Sequence, residues 1–129
     1  MDDNSLADSF RTAIGQAHTL TLGALPLFYP ILDTLGLRDL VNELRPTKAN
    51  VELGLVALAL VLNRLMAPQP LCWVNRWLAQ TVLPAALDLS PAKMYDQRLG
   101  RALDALHPHL AEIWARLVVR AVQVWGLEL

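Results

Sequence analysis

The apolar segment between Glu52 and Asn63 places the strongest constraint on the fold of this chain. It contains ten consecutive uncharged residues, 53–62, and is followed by Asn63, Arg64 and, shortly afterwards, two prolines. A helix that crosses a bilayer needs about 20 predominantly apolar residues, whereas stretches of about 10–14 are usually core helices. A helix that is apolar on nearly every face belongs at the centre of a bundle. We therefore predict a buried central helix at about 51–66 and no membrane span.

Prolines and glycines divide the rest of the chain into further helices. Proline is favoured in the first turn of a helix and glycine just after its end. No segment alternates apolar and polar residues cleanly between two turn signals, so we predict no sheet. The predicted fold is all-α, a compact bundle of six or seven helices. Their expected bounds are 26–35, 38–45, 51–66 with Asn50 as its N-cap, 70–80, a short turn within 81–89, 90–106 opened by Ser90-Pro91, and 108–125.

The amino-acid composition of the chain leads to further expectations about its surface and its surroundings. The chain is 54% hydrophobic and 18% charged, against about 25% charged in an average soluble domain, so some apolar surface is expected to pack against something else. The net charge of −1 gives no general attraction to nucleic acid or anionic lipid. The polar segment 1–21 is predicted to be poorly ordered or loosely helical, before a helical domain at 22–129. The lone Cys72 is predicted to lie in the core and fits a reducing, cytoplasmic location.

The last helix has more apolar surface than one core face requires. One stripe with helical spacing is predicted to face the core, and Glu112 is placed to form an ion pair with Arg116 one turn later. Further apolar residues widen the surface, which is either a broad core face or a docking surface for a partner. The predicted core stripe is Leu110, Ile113, Trp114, Leu117, Ala121 and Val124, and the predicted interaction surface is Val118, Val119, Val122 and Trp125.

The sequence contains no motif for catalysis or metal binding. The acidic residues form no metal-binding pattern, and there is no glycine-rich phosphate loop. His107 and His109 flank Pro108, but residues two apart point away from each other and no second ligand cluster lies nearby. We therefore expect no metal site, no cofactor and no enzymatic activity in this chain.

The remaining functional signal is basic and helical. On the predicted 90–106 helix, Leu99, Ala102, Leu103 and Leu106 are expected to face inward, which leaves Lys93, Gln97, Arg98 and Arg101 outside. Such a helix, following one that carries Arg76, could enter a major groove. The alternative is an ordinary solvated face, because Asp96 and Asp104 partly neutralise it. Gly100, in mid-helix, is expected to mark the close approach of another backbone, either that of a neighbouring helix or that of a DNA strand.

Three blocks resemble a known family. In order and spacing, "LGALPLFYPILDTLGLRDLVNEL", "ELGLVALALVLNRLMAPQPLCWVNRWLAQT" and "DQRLGRALDALHPHLAEIWARLVVRAV" are similar to the helical N-terminal region of bacterial insertion-sequence transposases. That region, a domain of unknown function, precedes an RNase H-like DDE catalytic core. The resemblance covers about residues 22–127 and implies that the core, with its divalent metal, is absent from this chain, which is then a truncated product or a fragment.

Three functional hypotheses follow from the resemblance and the residues. The first is transposon-end DNA binding through Lys93, Gln97, Arg98 and Arg101, with Arg64 and Arg76 on phosphates. The second is a protein-interaction module, in which the surface at 118–125 forms a homo-oligomer or docks the catalytic domain. The third is an inactive truncated remnant. In each case, no membrane partner is expected.

Overall fold

The computed structural model describes residues 7–8, 23–46 and 51–128, which contain α-helices and short 3₁₀ turns but no β-strand. The predicted all-α fold is therefore confirmed for this part of the chain. The expectation for 1–21 lies outside the described residues, apart from the helical residues 7–8. The helices are α1 (Leu25–Leu35), α2 (Leu37–Leu44), α3 (Leu53–Met66), α4 (Leu71–Ala79), α5 (Leu83–Leu87), α6 (Asp96–Leu106) and α7 (Leu110–Trp125).

Helix α3 is the buried centre of the bundle, as predicted. Nine of its 14 residues are buried, and α1, α2, α4 and α6 all pack against it. Neighbours on several sides explain why α3 is apolar on nearly every face. Asn63 is buried near its end, and its side-chain amide donates a hydrogen bond to the carbonyl oxygen of Ala67 at 3.1 Å. This polar group is therefore satisfied inside the core.

The lengths and directions of the described helices bear on whether this part of the chain could cross a membrane. Among them, no single helix combines the length and apolar character needed to cross a bilayer. Helices α3 and α4 together meet the requirement of length and composition, but the chain bends by 89° between them. Most of α3 is covered by the other helices of the bundle.

The first turn of α3 is held by side chains of α2, and we call this contact the α2–α3 junction. The side-chain oxygen of Asn42 accepts a hydrogen bond from the Gly54 N–H at 2.7 Å. The Asn42 amide donates to the Glu52 carboxylate at 3.1 Å, and the Arg38 guanidinium forms an ion pair with the same carboxylate. Glu52 occupies the N-cap position, so the prediction of Asn50 as the cap is wrong. A neighbouring helix, rather than a local cap, satisfies a free N–H group at this helix start.

Tyr29 of α1 lies beside this junction. Its side chain is buried, and burial raises the pKa of its hydroxyl. The nearby Asp33 carboxylate raises this pKa further, while the Arg38 guanidinium opposes both effects. Tyr29 therefore remains neutral at physiological pH, so it does not compete with Glu52 as an anionic partner of Arg38.

Glycines have different roles at three positions. At Gly54, an added Cβ would overlap the carbonyl oxygen of Arg38 and lie 2.8 Å from the Asn42 side chain, so only glycine allows α2 to approach this closely. Gly36, with φ +72°, ends α1 in the left-handed conformation that glycine adopts at little cost. At Gly100, no heavy atom lies within 4 Å of an added Cβ. No described helix therefore approaches Gly100 closely, so a neighbouring helix as the reason for this glycine is wrong, and a DNA strand there stays a prediction.

Two predicted helix starts are wrong in the same way. Ser90-Pro91 opens a 3₁₀ turn, Pro91–Lys93, and α6 begins only at Asp96. Between them Met94 is fully buried, and Tyr95 is extended, with φ −77° and ψ 160°. A proline likewise opens the 3₁₀ turn His107–His109, which precedes α7. Proline fixes φ in both cases, but φ alone does not choose between a 3₁₀ turn and an α-helix.

Gly54→Ala and Gly100→Ala form a matched pair of stability tests. We expect Gly54→Ala to lower the free energy of unfolding by about 2–3 kcal/mol, because the added methyl group overpacks the α2–α3 junction. Gly100→Ala is expected to raise it by about 0.5–1 kcal/mol, because alanine favours the helix and meets open space. Urea unfolding monitored by circular dichroism measures both. Equal effects at the two positions would contradict the described packing.

Candidate functional site

Helix α6 turns one face to the core and a basic face outward. Leu99, Ala102 and Leu106 are buried, as predicted, but Leu103 is 44% exposed, so its inward placement is wrong. The predicted DNA-binding residues Gln97 and Arg101 are exposed, and Arg98 is partly buried. The predicted face of α6 is therefore correct in outline, but the inward stripe is narrower than expected.

Three arginines line one cavity, which we call the arginine cavity. Arg98 and Arg101 come from α6, and Arg45 comes from the end of α2. The cavity has a volume of about 370 Å³. The rest of its lining is apolar, and no carboxylate belongs to it among the described residues. These apolar residues are Val51, Leu53, Val56, Ala102 and Ala105.

The Tyr95 side chain contacts two of these arginines. The Arg98 guanidinium lies 5.5 Å from the centroid of the Tyr95 ring, and that of Arg101 lies 5.9 Å away. Arg101 also donates a hydrogen bond to the Tyr95 hydroxyl at 3.0 Å. The Nε of Arg98 is buried and has no hydrogen-bond partner among the described residues. The same tyrosine ring therefore contacts two guanidinium groups of the cavity, and one of them has an unused donor among the described residues.

Lys93 has a different environment from the two arginines of α6. It lies in the 3₁₀ turn before α6 and lines a neighbouring cavity that also contains Arg38, Glu52 and Asp88. Val51 lines both cavities. Two carboxylates near Lys93 offset part of its charge, so the basic character is concentrated in the arginine cavity.

The other two predicted DNA-binding residues do not line the arginine cavity. Arg76, on α4, lies 4.7 Å from the centroid of the Trp73 ring, and both side chains are exposed. Arg64, on α3, lines a groove of about 300 Å³ with mainly apolar walls, which we call the apolar groove. Of the predicted DNA-binding residues, the structure thus places Arg98 and Arg101 in one cavity, and it places Arg45 there as well. No sequence signal points to Arg45, because its approach to α6 depends on how α2 docks on α3.

Helix α7 is largely uncovered. Ile113 is its one buried side chain, and Leu117 packs partly buried against the core, so the predicted core stripe is correct at these two positions and wrong at its exposed members. Trp114, predicted to face the core, is 71% exposed, and Trp125 is 46% exposed. Leu110, Val119 and Val124 are also exposed, whereas Leu117, Val118, Ala121 and Val122 are partly buried.

Apolar residues line one face of α7, which we call the α7 stripe. It consists of the exposed Leu110, Trp114 and Trp125 and the partly buried Val118 and Ala121, spaced by three or four residues. Val122 widens the stripe on one side, and the exposed Val119 lies beyond it, next to the polar face. The polar residues lie on the opposite face, where Arg116 forms the predicted ion pair with Glu112 at 2.7 Å and approaches Glu43 of α2 at 3.9 Å. Spacing of this kind is typical of a helix that packs along another helix.

The apolar groove adjoins the start of the α7 stripe. Leu103 of α6 and Leu110 of α7, both exposed, belong to its lining, together with the buried Ile113. The exposed apolar surface therefore continues from the first turn of α7 into a concave region between the helices. A connected apolar surface of this kind usually marks a contact site.

Other candidate residues do not form a chemical site. Cys72 is exposed, so its predicted place in the core is wrong. Trp73 and Trp77 share a helix, but Trp77 is buried while Trp73 is half-exposed. In the part of the chain that the structure describes, no group of three or more histidine, cysteine or acidic side chains is arranged to hold a metal ion.

Fold and surface together define a small helical domain with an uncovered apolar helix and an arginine-lined cavity. Residues 17–119 match the family described as a domain of unknown function, DUF4277. Because the match spans most of the chain, the chain belongs to this family. No curated protein and no solved structure matches it significantly.

Leu99→Ala and Leu103→Ala test the orientation of α6. Leu99 is fully buried, so its truncation is expected to lower the free energy of unfolding by about 2–5 kcal/mol. Leu103 is half-exposed, and its truncation is expected to cost less than about 1 kcal/mol. Chemical unfolding of the two variants gives both values. A larger loss for Leu103→Ala would mean that α6 is rotated and that the arginines face elsewhere.

Proposed function

We propose that this chain is a non-catalytic assembly domain of a transposase-like protein and that α7 pairs with α7 of a second copy. The observation that carries the proposal is the exposure of the α7 stripe. A 16-residue helix with Ile113 as its one buried residue leaves two tryptophans at the surface. Burying such side chains is a major source of binding energy at protein interfaces.

A second copy fits the stripe because like apolar stripes are complementary to each other. Helices that present apolar residues every three or four positions pack along one another, and two-fold pairing is the commonest symmetry of homo-oligomers. Helix α7 is about 24 Å long at 1.5 Å per residue. Along this length, the exposed Leu110, Trp114 and Trp125 give a second copy an apolar face to cover.

The transposase context rests on the resemblance of the three sequence blocks, and family membership is compatible with it. A catalytic domain packing on the same stripe is the competing occupant. The two occupants differ in one measurable respect, because pairing of this chain with itself requires no additional domain. The oligomeric state of the isolated chain therefore distinguishes them.

Trp114→Asp and Leu65→Asp form the matched test of pairing. Both replace an exposed apolar side chain with aspartate, but Leu65 lies on α3, outside the α7 stripe. We expect the wild type and Leu65→Asp to dimerise and Trp114→Asp to dimerise at least about tenfold more weakly. Light scattering across a concentration series measures this. A strictly monomeric wild type would contradict self-pairing and favour the catalytic domain as the occupant.

The second candidate is binding of transposon-end DNA, the function predicted first from sequence. The observation that favours it is the arginine cavity beside the exposed face of α6. Arg98, Arg101 and Arg45 present three positive charges, with no carboxylate among the described residues of the lining, and Gln97 and Arg101 are exposed on the same helix. Arginine-rich surfaces bind DNA chiefly through the phosphate backbone, even where the net charge of the chain is close to zero.

Arg101→Ala tests this candidate, with Arg120→Ala on α7 as its control. The probe is a fluorescent duplex that carries the terminal repeat of the encoding element. We expect the logarithm of the affinity to fall linearly with the logarithm of salt concentration. Arg101→Ala should weaken binding and lower this slope by about one, whereas Arg120→Ala should change neither. Absence of salt-sensitive binding at micromolar protein would eliminate the candidate.

A further inference from the structure

We infer that the arginine cavity binds a phosphate group and that Arg45, Arg98 and Arg101 are its ligands. The sequence did not connect Arg45 with the other two. They meet because α2 ends beside α6, some fifty residues further along the chain. This phosphate site extends the DNA-binding candidate. It rests on that candidate only for the question of whether the phosphate comes from DNA.

The positive charge of the arginine cavity favours a bound anion. Three guanidinium groups line the cavity without a carboxylate among the described lining residues. None of the three forms an ion pair in the part of the chain that the structure describes. Guanidinium groups remain charged at all physiological pH values, so their repulsion cannot be relieved by losing a proton. A bound anion relieves it.

The unused donor of Arg98 also favours a bound anion. Its Nε is buried, and no described residue accepts a hydrogen bond from it, although buried donors are nearly always satisfied. Tyr95 contacts both Arg98 and Arg101 through its ring and accepts a hydrogen bond from Arg101. These contacts limit the positions of the two side chains and leave further N–H groups available. An oxyanion in the cavity supplies the missing acceptor.

The hydrogen-bonding geometry of arginine favours phosphate as the bound anion. Arginine forms paired hydrogen bonds with oxyanions, and phosphate offers more acceptor oxygens and charge than a carboxylate does. Three guanidinium groups therefore suit phosphate better than a single carboxylate. Arg98 also lies in the first turn of α6, where the helix dipole favours negative charge. The apolar remainder of the lining strengthens these interactions, because it lowers the local dielectric constant.

The size of the cavity admits more than the phosphate alone. Its volume of about 370 Å³ lies within the range of roughly 300–1,000 Å³ that small-molecule sites occupy. It is open to solvent beside the exposed Arg45 and Arg101. The phosphate can therefore belong to a phosphodiester in a DNA backbone or be free inorganic phosphate. Both sources place the same group against the same three arginines.

The test uses the full chain and inorganic phosphate, titrated by calorimetry against chloride at equal ionic strength. The variants are Arg45→Gln and Arg98→Gln, and Arg120→Gln, an exposed arginine of α7, is the matched control. We expect each cavity variant to weaken phosphate binding about tenfold or more, and Arg120→Gln to change it less than about twofold. Phosphate should raise the melting temperature of the wild type and the control, but not that of the cavity variants.

Folding of the variants is checked in buffer without phosphate. There, Arg98→Gln should unfold at or above the wild-type temperature, because it removes an unsatisfied buried donor and one of three like charges. If the wild type does not bind phosphate, or if all three variants bind it as the wild type does, the inference is overturned.

Competition with DNA identifies the source of the phosphate. Displacement of inorganic phosphate by a short duplex supports the site and assigns it to the DNA backbone. Phosphate binding that a duplex does not displace also supports the site but assigns it to free phosphate, and DNA binding through this cavity then fails. The inference and the DNA-binding candidate can therefore fail separately.

Discussion

The docking of α2 on the first turn of α3 is the contact on which both candidate surfaces depend. Gly54 lets the two backbones approach, and Asn42 satisfies the N–H group that the helix start exposes. Helix α2 then carries Arg45 to the arginine cavity and places Glu43 near Arg116 of α7. One close helix contact thus positions a side chain in each of two distant regions.

Both surfaces have features that a chain folding alone does not need. Helix α7 exposes two tryptophans to water, and the arginine cavity holds like charges and a buried donor that has no acceptor among residues 7–8, 23–46 and 51–128. Neither feature contributes to the stability of the isolated domain, since exposed apolar area and unpaired buried groups are both unfavourable. Contacts with other molecules would give these features a physical role. This is why we assign function to these two regions rather than to the well-packed core.

Much of the fold could be predicted from local sequence signals. The ten uncharged residues at 53–62 identified the central helix, and Gly36 and Gly126 marked the ends of two others. These signals act within a few residues, so they can be interpreted without knowledge of neighbours. The starts of α6 and α7 were misplaced, because proline is compatible with a 3₁₀ turn as well as with an α-helix.

The candidate site was less predictable, because it depends on which helix faces are covered. Helical spacing identified α7 as a helix with a wide apolar surface, but it could not show that little packs over Trp114. The same limit explains Leu103 and Cys72, which were expected inside and are exposed. Arg45 was missed because its partners lie far away in sequence. Periodicity defines a face, whereas tertiary packing decides whether that face is buried.

Amide hydrogen exchange in the wild type and in Asn42→Ala tests the role of the α2–α3 junction most directly. The Gly54 N–H lies in the first turn of α3, where no backbone acceptor within the helix is available, so its protection depends on Asn42. We predict that Asn42→Ala accelerates amide hydrogen exchange at Gly54 and along α2, while the amides of buried α4 residues such as Leu78 remain protected. Unchanged exchange at Gly54, or equal acceleration in all helices, would contradict it.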